Sequence, residues 1–100
     1  MGTIAARRAR DAVTDVSRIL AIQAMCVAQA IDLRMREDAR PFGAAARAVR
    51  DAVRAETPFL GEDRPLSAEI EALAARLSNG GIERAVRQGP DPLAAALDTF

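Results

Sequence analysis

A long segment at the start of the sequence, residues 3–34, contains neither proline nor glycine. Its apolar residues recur at steps of three or four, which predicts a single α-helix. At 1.5 Å per residue this helix would be about 47 Å long, whereas a compact body of this chain length, with a radius of gyration of about 13 Å, is only about 34 Å across. The rest of the chain therefore cannot cover the helix. The apolar positions of the pattern are Ala9, Val13, Val16, Leu20, Val27 and Ile31.

Composition points the same way. Half of the 100 residues are nominally apolar, but 23 of those 50 are alanine, only three are aromatic, and all 14 basic residues are arginine. Alanine, arginine, leucine and glutamate are strong helix formers, while β-branched and aromatic strand formers are scarce. A sheet protein is excluded. Because so much of the core is made of methyl groups, a partner chain or an oligomer is expected.

Residues 19–31 form an uncharged stretch in which Gln23 and Gln29 are the only clearly polar side chains. A helix that is apolar on every side is buried on every side, so we expect other helices to surround it. A membrane span would need roughly 20 apolar residues, and Arg18 and Asp32 bracket only 13, so we expect no membrane. Each glutamine either pairs across a helix interface, as buried amides do in coiled coils, or faces a loop or water.

Three shorter helices are predicted after the first one. Pro41 and Gly43 mark a loop, and Pro58 begins an extended link. Residues 1–100 are predicted to form a single helical segment, with 88–100 as a flexible tail. The predicted fold class is all-α, part of a multi-chain helical bundle, with a long helix at about 3–34 and shorter ones at about 44–55, 67–78 and 82–87.

Local signals mark the ends and the inner faces of these helices. Ser67 is placed to cap the third helix, with Glu69 and Glu71 in its favourable first turn. The run Asn79-Gly80-Gly81 predicts a left-handed cap and turn at its end. The inner faces are predicted to carry Ala45, Val49, Ala52 and Val53 in the second helix, and Ile70, Leu73, Ala74 and Leu77 in the third.

The residue types that are missing limit the chemistry. The chain has no histidine, tyrosine, lysine or tryptophan, so the usual general base, the phenolic acid, the Schiff-base amine and the best metal ligand are absent. We expect neither autonomous catalysis nor a metal site. The single Cys26 is interpreted as a small buried hydrophobe that cannot form an internal disulfide, which fits a reducing cytoplasm. No signal peptide is predicted, and a net charge of zero gives no support to a nucleic acid partner.

Several strings of the sequence are characteristic of one family. They occur at 1–7 (MGTIAAR), 20–22 (LAI), 28–34 (AQAIDLR), 52–54 (AVR), 58–60 (PFL), 62–67 (EDRPLS) and 70–73 (IEAL). In order and spacing, residues 1–77 resemble the C-terminal part of the aromatic amino acid ammonia-lyases, which comprise histidine and phenylalanine ammonia-lyases and related aminomutases.

The resemblance implies an all-helical homotetramer with a central bundle of long helices from four subunits. It also implies elimination of ammonia from an aromatic amino acid, using a methylidene-imidazolone that forms from an internal Ala-Ser-Gly. This chain contains no Ala-Ser-Gly and no tyrosine, and the family's active-site glutamate lies in a Gln-Glu-Asp-His-Val-Ser stretch just before the position of Met1. No catalytic or cofactor-binding residue therefore carries over. The roles that carry over are structural, as ion pairs and loop anchors, for Asp32, Arg34, Glu62, Asp63 and Arg64.

The leading hypothesis is a C-terminal assembly segment of an aromatic amino acid lyase-like protein that is not catalytic alone. Its partner would be a second copy of the chain or a separate catalytic lyase chain, unless the chain is a truncated remnant or has a misannotated start. The alternative is an independent helical homo-oligomer with no lyase role, and a nucleic acid module using Arg7, Arg8 and Arg10 is disfavoured by the nearby aspartates. In either oligomer the predicted interface is the stripe formed by Val13, Val16, Leu20, Gln23, Val27 and Ile31.

Overall fold

The computed structural model of the chain describes residues 2–38 and 43–88. These residues form four α-helices, and the described part of the chain contains no strand. The predicted all-α fold class is therefore confirmed. The helices, numbered in chain order, are α1 (Gly2–Glu37), α2 (Ala44–Arg54), α3 (Ser67–Ser78) and α4 (Gly81–Arg87).

Helix α1 is longer than the sequence pattern predicted, because it continues to Glu37 instead of ending near residue 34. Its extra turn is made of residues that tolerate helix well, and Arg34 and Arg36 lie where cations interact favourably with the helix dipole. At 1.5 Å per residue, 36 residues span about 54 Å, and the longest dimension of the chain is 56 Å. The prediction that α1 outgrows the body of its own chain is confirmed.

A small core lies beside the second half of α1. Helices α2 and α3 both contact α1, and α4 contacts α2 and α3. Four of the seven residues in the central buried cluster are alanines, so the helices lie close together but enclose few large side chains. The members of this cluster are Ala21, Ala28, Ala52, Val53, Leu73, Ala74 and Ile82.

The predicted inner faces are confirmed except at one position. In α3, Leu73 and Ala74 are buried, and Ile70 and Leu77 pack against the core cluster. In α2, Val49 packs beside the buried residues, but Ala45 is exposed. Ala45 is on the same helix face as Val49 but one turn earlier, in the first turn of α2. This first turn lies beyond the edge of the core, so Ala45 is exposed.

Two predicted helix ends had different outcomes. The prediction that Ser67 caps α3 is wrong, because Leu66 precedes the helix and no side-chain hydrogen bond caps its first turn. Ser67 is instead the first helical residue. The predicted left-handed turn after α3 is confirmed, since Gly80 has a φ of 78°. The Asn79 Oδ1 atom accepts a hydrogen bond of 2.9 Å from the Gly81 N–H, which starts α4 one residue earlier than predicted.

Two sequence predictions fall largely outside the described residues. The predicted loop around Pro41 falls mostly on residues 39–42, which are not described. Of the predicted tail at 88–100, only Gln88 is described, and it is the C-cap of α4. Both remain predictions from the sequence.

Candidate functional site

The first half of α1 extends away from the other helices. Every residue from 2 to 16 is exposed, and Ser17 is the first buried one. The Ser17 hydroxyl lies 2.9 Å from the Ser78 hydroxyl at the end of α3, and Arg18 Nε donates to Glu71 Oε1 at 2.8 Å. Arg18 also pairs with Asp15, three residues earlier on α1, at 3.5 Å. The body of the chain therefore begins at Ser17, and the preceding turns of α1 have no neighbour among the described residues.

One exposed face of α1 carries an unbroken heptad pattern, which we call the α1 seam. Its members alternate at steps of three and four residues, the spacing that keeps apolar side chains along the contact line of two supercoiled helices. All eight are exposed in the single chain. The seam comprises Ala6, Ala9, Val13, Val16, Leu20, Gln23, Val27 and Ala30.

Five of the six predicted interface residues lie in the α1 seam and the sixth does not. The larger seam side chains remain between 47% and 63% exposed, at Val13, Val16, Leu20 and Val27. Ile31, by contrast, is only 5% exposed and is buried within its own chain. It lies three residues after Ala28, on the face that α1 turns toward the core. Ile31 is therefore removed from the predicted interface with another chain.

The uncharged stretch at 19–31 is only partly covered by the chain itself. Ala21, Ala28 and Ile31 are buried, but Ile19 and Ile22 remain 56% and 46% exposed. With Cys26 and Leu33 they form a second exposed apolar strip, roughly 110° from the α1 seam at 3.6 residues per turn. The interpretation of Cys26 as buried is not met within one chain, because its side chain is exposed.

A groove of about 330 Å³ lies between this second strip and the link after α2. One wall is formed by Met25, Cys26 and Leu33 of α1, and the other includes Leu60 and Leu66. Thr57 also lines the groove, is 3% exposed, and its hydroxyl has no hydrogen-bond partner among the described residues. The groove is a mostly apolar extension of the exposed surface of α1.

Gln29 anchors the link to α1. Its side-chain amide donates to the Leu60 carbonyl at 3.0 Å, and its Oε1 atom accepts from the Leu60 N–H and from Arg54 Nη2, each at 3.2 Å. Gln29 thus faces the link, as one of its two alternatives predicted, and it also pairs with Arg54 across the contact between α1 and α2. Gln23 is exposed in the α1 seam, so both of its alternatives remain predictions.

Asp32 joins α1 to α2 by two ion pairs. Its Oδ1 atom lies 2.7 Å from Arg50 Nε and its Oδ2 atom 2.7 Å from Arg54 Nε. The carboxylate is 10% exposed. Burial raises the pKa of Asp32, but the hydrogen bonds and positive charges of Arg54 and Arg50 outweigh burial and hold the pKa below its ordinary value. The same pairing raises the pKa of Arg50.

The other residues that were predicted to be ion pairs or loop anchors differ in their contacts. Arg64 is a loop anchor: its guanidinium donates to the carbonyls of Pro58 and Phe59 and pairs with Glu69 at 3.1 Å. Glu62 and Asp63 are exposed, and within 2–38 and 43–88 neither forms a salt bridge. Arg34 is exposed in the last turns of α1, where its carbonyl accepts a hydrogen bond from Asp38.

The sequence analysis did not predict that Arg50 and Arg54 pair with Asp32. It also did not predict the contact of Phe59 with neighbouring arginines. The Phe59 ring lies under the Arg36 guanidinium, with 4.0 Å from Cζ to the ring centroid, and Arg54 approaches the same ring at 5.7 Å. Arginines four residues apart on one helix face were the available signal, because Arg50 and Arg54 can both reach one carboxylate on a neighbouring helix.

By length and composition alone, α1 includes a window that is apolar enough to cross a membrane. A helix that is buried between other helices of a soluble protein passes the same test. The expectation that no membrane is involved remains a prediction.

Helix α1 is thus long, carries an exposed heptad pattern, and is held to the rest of the chain through Asp32 and Gln29. Residues 1–55 match the family model described as aromatic amino acid lyase. The chain belongs to the aromatic amino acid lyase family. This agrees with the resemblance carried by the strings at 1–7, 28–34 and 52–54.

Relatives within the lyase family match most of the chain. It is 42% identical over 93 residues to a histidine ammonia-lyase of Symbiobacterium thermophilum, covering 93% of this chain and 18% of that protein. It is 40% identical over 91 residues to an MIO-dependent tyrosine 2,3-aminomutase of Streptomyces globisporus, covering 91% and 16%. It is 43% identical over 77 residues to a tyrosine ammonia-lyase of Cereibacter sphaeroides, covering 77% and 15%. No solved structure matches the chain.

The chain thus spans less than a fifth of the length of these lyase-family relatives. Its own residues do not fit the methylidene-imidazolone that the family resemblance implies. None of Ser17, Ser67 and Ser78 stands between an alanine and a glycine, so the group cannot form from this chain. The candidate site among the described residues is the exposed α1 seam.

Proposed function

We propose that this chain is the structural assembly segment of an aromatic amino acid ammonia-lyase-like protein and is not catalytic alone. The reaction of the assembled protein would be elimination of ammonia from histidine, phenylalanine or tyrosine. The observation that carries the proposal is the exposed α1 seam on a helix that belongs to this family. The segment would supply one long helix to a bundle whose catalytic groups come from outside residues 1–100.

The apolar side chains of the α1 seam favour contact with another helix. Val13, Val16, Leu20 and Val27 are each about half exposed, and full burial of such a side chain contributes about 2 kcal/mol. Covering the four would therefore contribute roughly 4 kcal/mol per chain before the cost of association. A helix of this length left uncovered would be prone to non-specific aggregation.

The small and polar members of the α1 seam support a defined helix partner. Ala6, Ala9 and Ala30 allow backbones to approach closely near both ends of the contact. Gln23 is the one polar member, and a single amide in such a contact line favours the register in which it meets another polar group. The partner is therefore a helix that matches the seam over several turns, supplied by a second copy of the chain or by a separate catalytic lyase chain.

The charge and residue content agree with an assembly role. The formal net charge is zero, which gives no electrostatic drive toward nucleic acid. The chain has no histidine, lysine or tyrosine to act as an acid or base. We propose a cytoplasmic protein, because the single Cys26 is compatible with a reducing compartment.

A complementation experiment tests the proposal. The chain is co-expressed with a histidine ammonia-lyase that lacks the matching segment, and arylacrylate absorbance is followed after co-purification. The proposal predicts that the two chains co-purify and that activity is restored. It also predicts that the double variant Val16→Asp, Val27→Asp abolishes both results, whereas Ala45→Asp, an exposed position outside the α1 seam, leaves them intact.

Failure of both co-purification and restored activity would contradict a role as the small partner of a catalytic chain. The second candidate, an independent helical homo-oligomer with no lyase role, is supported by the heptad pattern alone. It predicts that the chain associates with itself through the α1 seam and does not rescue the truncated lyase.

A further inference from the structure

We draw no further inference here: the strongest candidate, the apolar groove between the second half of α1 and the link that carries the buried Thr57 hydroxyl, is an unpartnered surface, and nothing in the structure shows what covers it.

Discussion

Asp32 on α1 and Arg54 on α2 form an ion pair with 2.7 Å between Oδ2 and Nε, and Arg50 pairs with the other carboxylate oxygen at the same distance. One carboxylate thus holds two successive turns of α2 against α1. Arg54 extends the connection, because its other nitrogens donate to the Thr57 carbonyl and to Gln29. This cluster joins the end of α2 and the residues after it to α1.

Replacing Asp32 by asparagine is expected to destabilise the chain by about 3 kcal/mol, since it leaves the partly buried Arg54 without its counter-charge and Arg50 with only its pair to the exposed Asp51. Urea denaturation at a fixed protein concentration measures the effect, because association also shifts apparent stability. Asp63→Asn is the matched control and should change stability by less than about 0.5 kcal/mol, as Asp63 is exposed on the link. Equal effects of the two substitutions would contradict a structural role for the Asp32 cluster.

The stabilisation from Asp32 is expected to disappear in acid. Its pKa in the folded chain is held below the ordinary value of 3.8. As the pH falls, Asp32 is therefore protonated at a higher pH in the unfolded chain than in the folded chain. The contribution is therefore complete above about pH 4 to 5 and is lost as the pH falls through 3.8 toward the folded pKa. The difference in unfolding free energy between wild type and Asp32→Asn should narrow over that range. A difference that stays constant down to pH 2 would show that the charge of Asp32 does not produce it.

Gln29→Leu is expected to cost about 2 kcal/mol, because the Leu60 N–H and C=O both lose the side-chain amide that pairs with them. The link at 58–66 should also exchange its amide hydrogens faster. Gln88→Leu provides the control, since this exposed glutamine lies at the end of α4, away from the link. Unchanged exchange at Leu60 in the Gln29 variant would mean that the link is held by other contacts.

Gly80 requires its left-handed conformation. Alanine at this position, with a φ of 78°, is expected to cost roughly 1–2 kcal/mol. Gly43→Ala is the matched control: Gly43 has an ordinary φ of −55°, and the methyl group of an alanine there would have no neighbouring atom within 4 Å in the part of the chain that the structure describes. It should be neutral or stabilising by about 0.4–1 kcal/mol. Thermal denaturation of the two variants side by side checks the difference, and equal melting temperatures would contradict the assignment of the turn.

The elements that the sequence predicted well are those set by local chemistry. Helix α1 follows from a long segment without proline or glycine, and the turn at Gly80 follows from a residue type that tolerates positive φ. Ser67 was mispredicted for a related reason: a good cap residue forms a cap only if the chain enters the helix at the right angle, and here the chain enters one residue earlier.

The partners of individual side chains depend on packing between distant helices, and the sequence does not specify them. Asp32 was expected to form an ion pair, but Arg50 and Arg54 become its partners only because α2 folds back along α1. Ile31 matches the spacing of the predicted interface, yet its face is covered by its own chain. The choice of Gln29 over Gln23 as the anchor likewise depends on where the link lies.

The proposed assembly role depends above all on the exposed α1 seam being a surface for association with another helix. Sedimentation velocity of the chain over a range of concentrations, with helicity checked by circular dichroism, tests it most directly. We predict a folded species larger than the 10.6 kDa monomer, formed either by the chain alone or after mixing with a lyase chain that lacks the matching segment. In Val27→Asp the affinity of this association should fall at least about thirtyfold, because a charge enters an apolar contact. A wild-type chain that is fully helical and stays monomeric at every concentration, both alone and in the mixture, would contradict it.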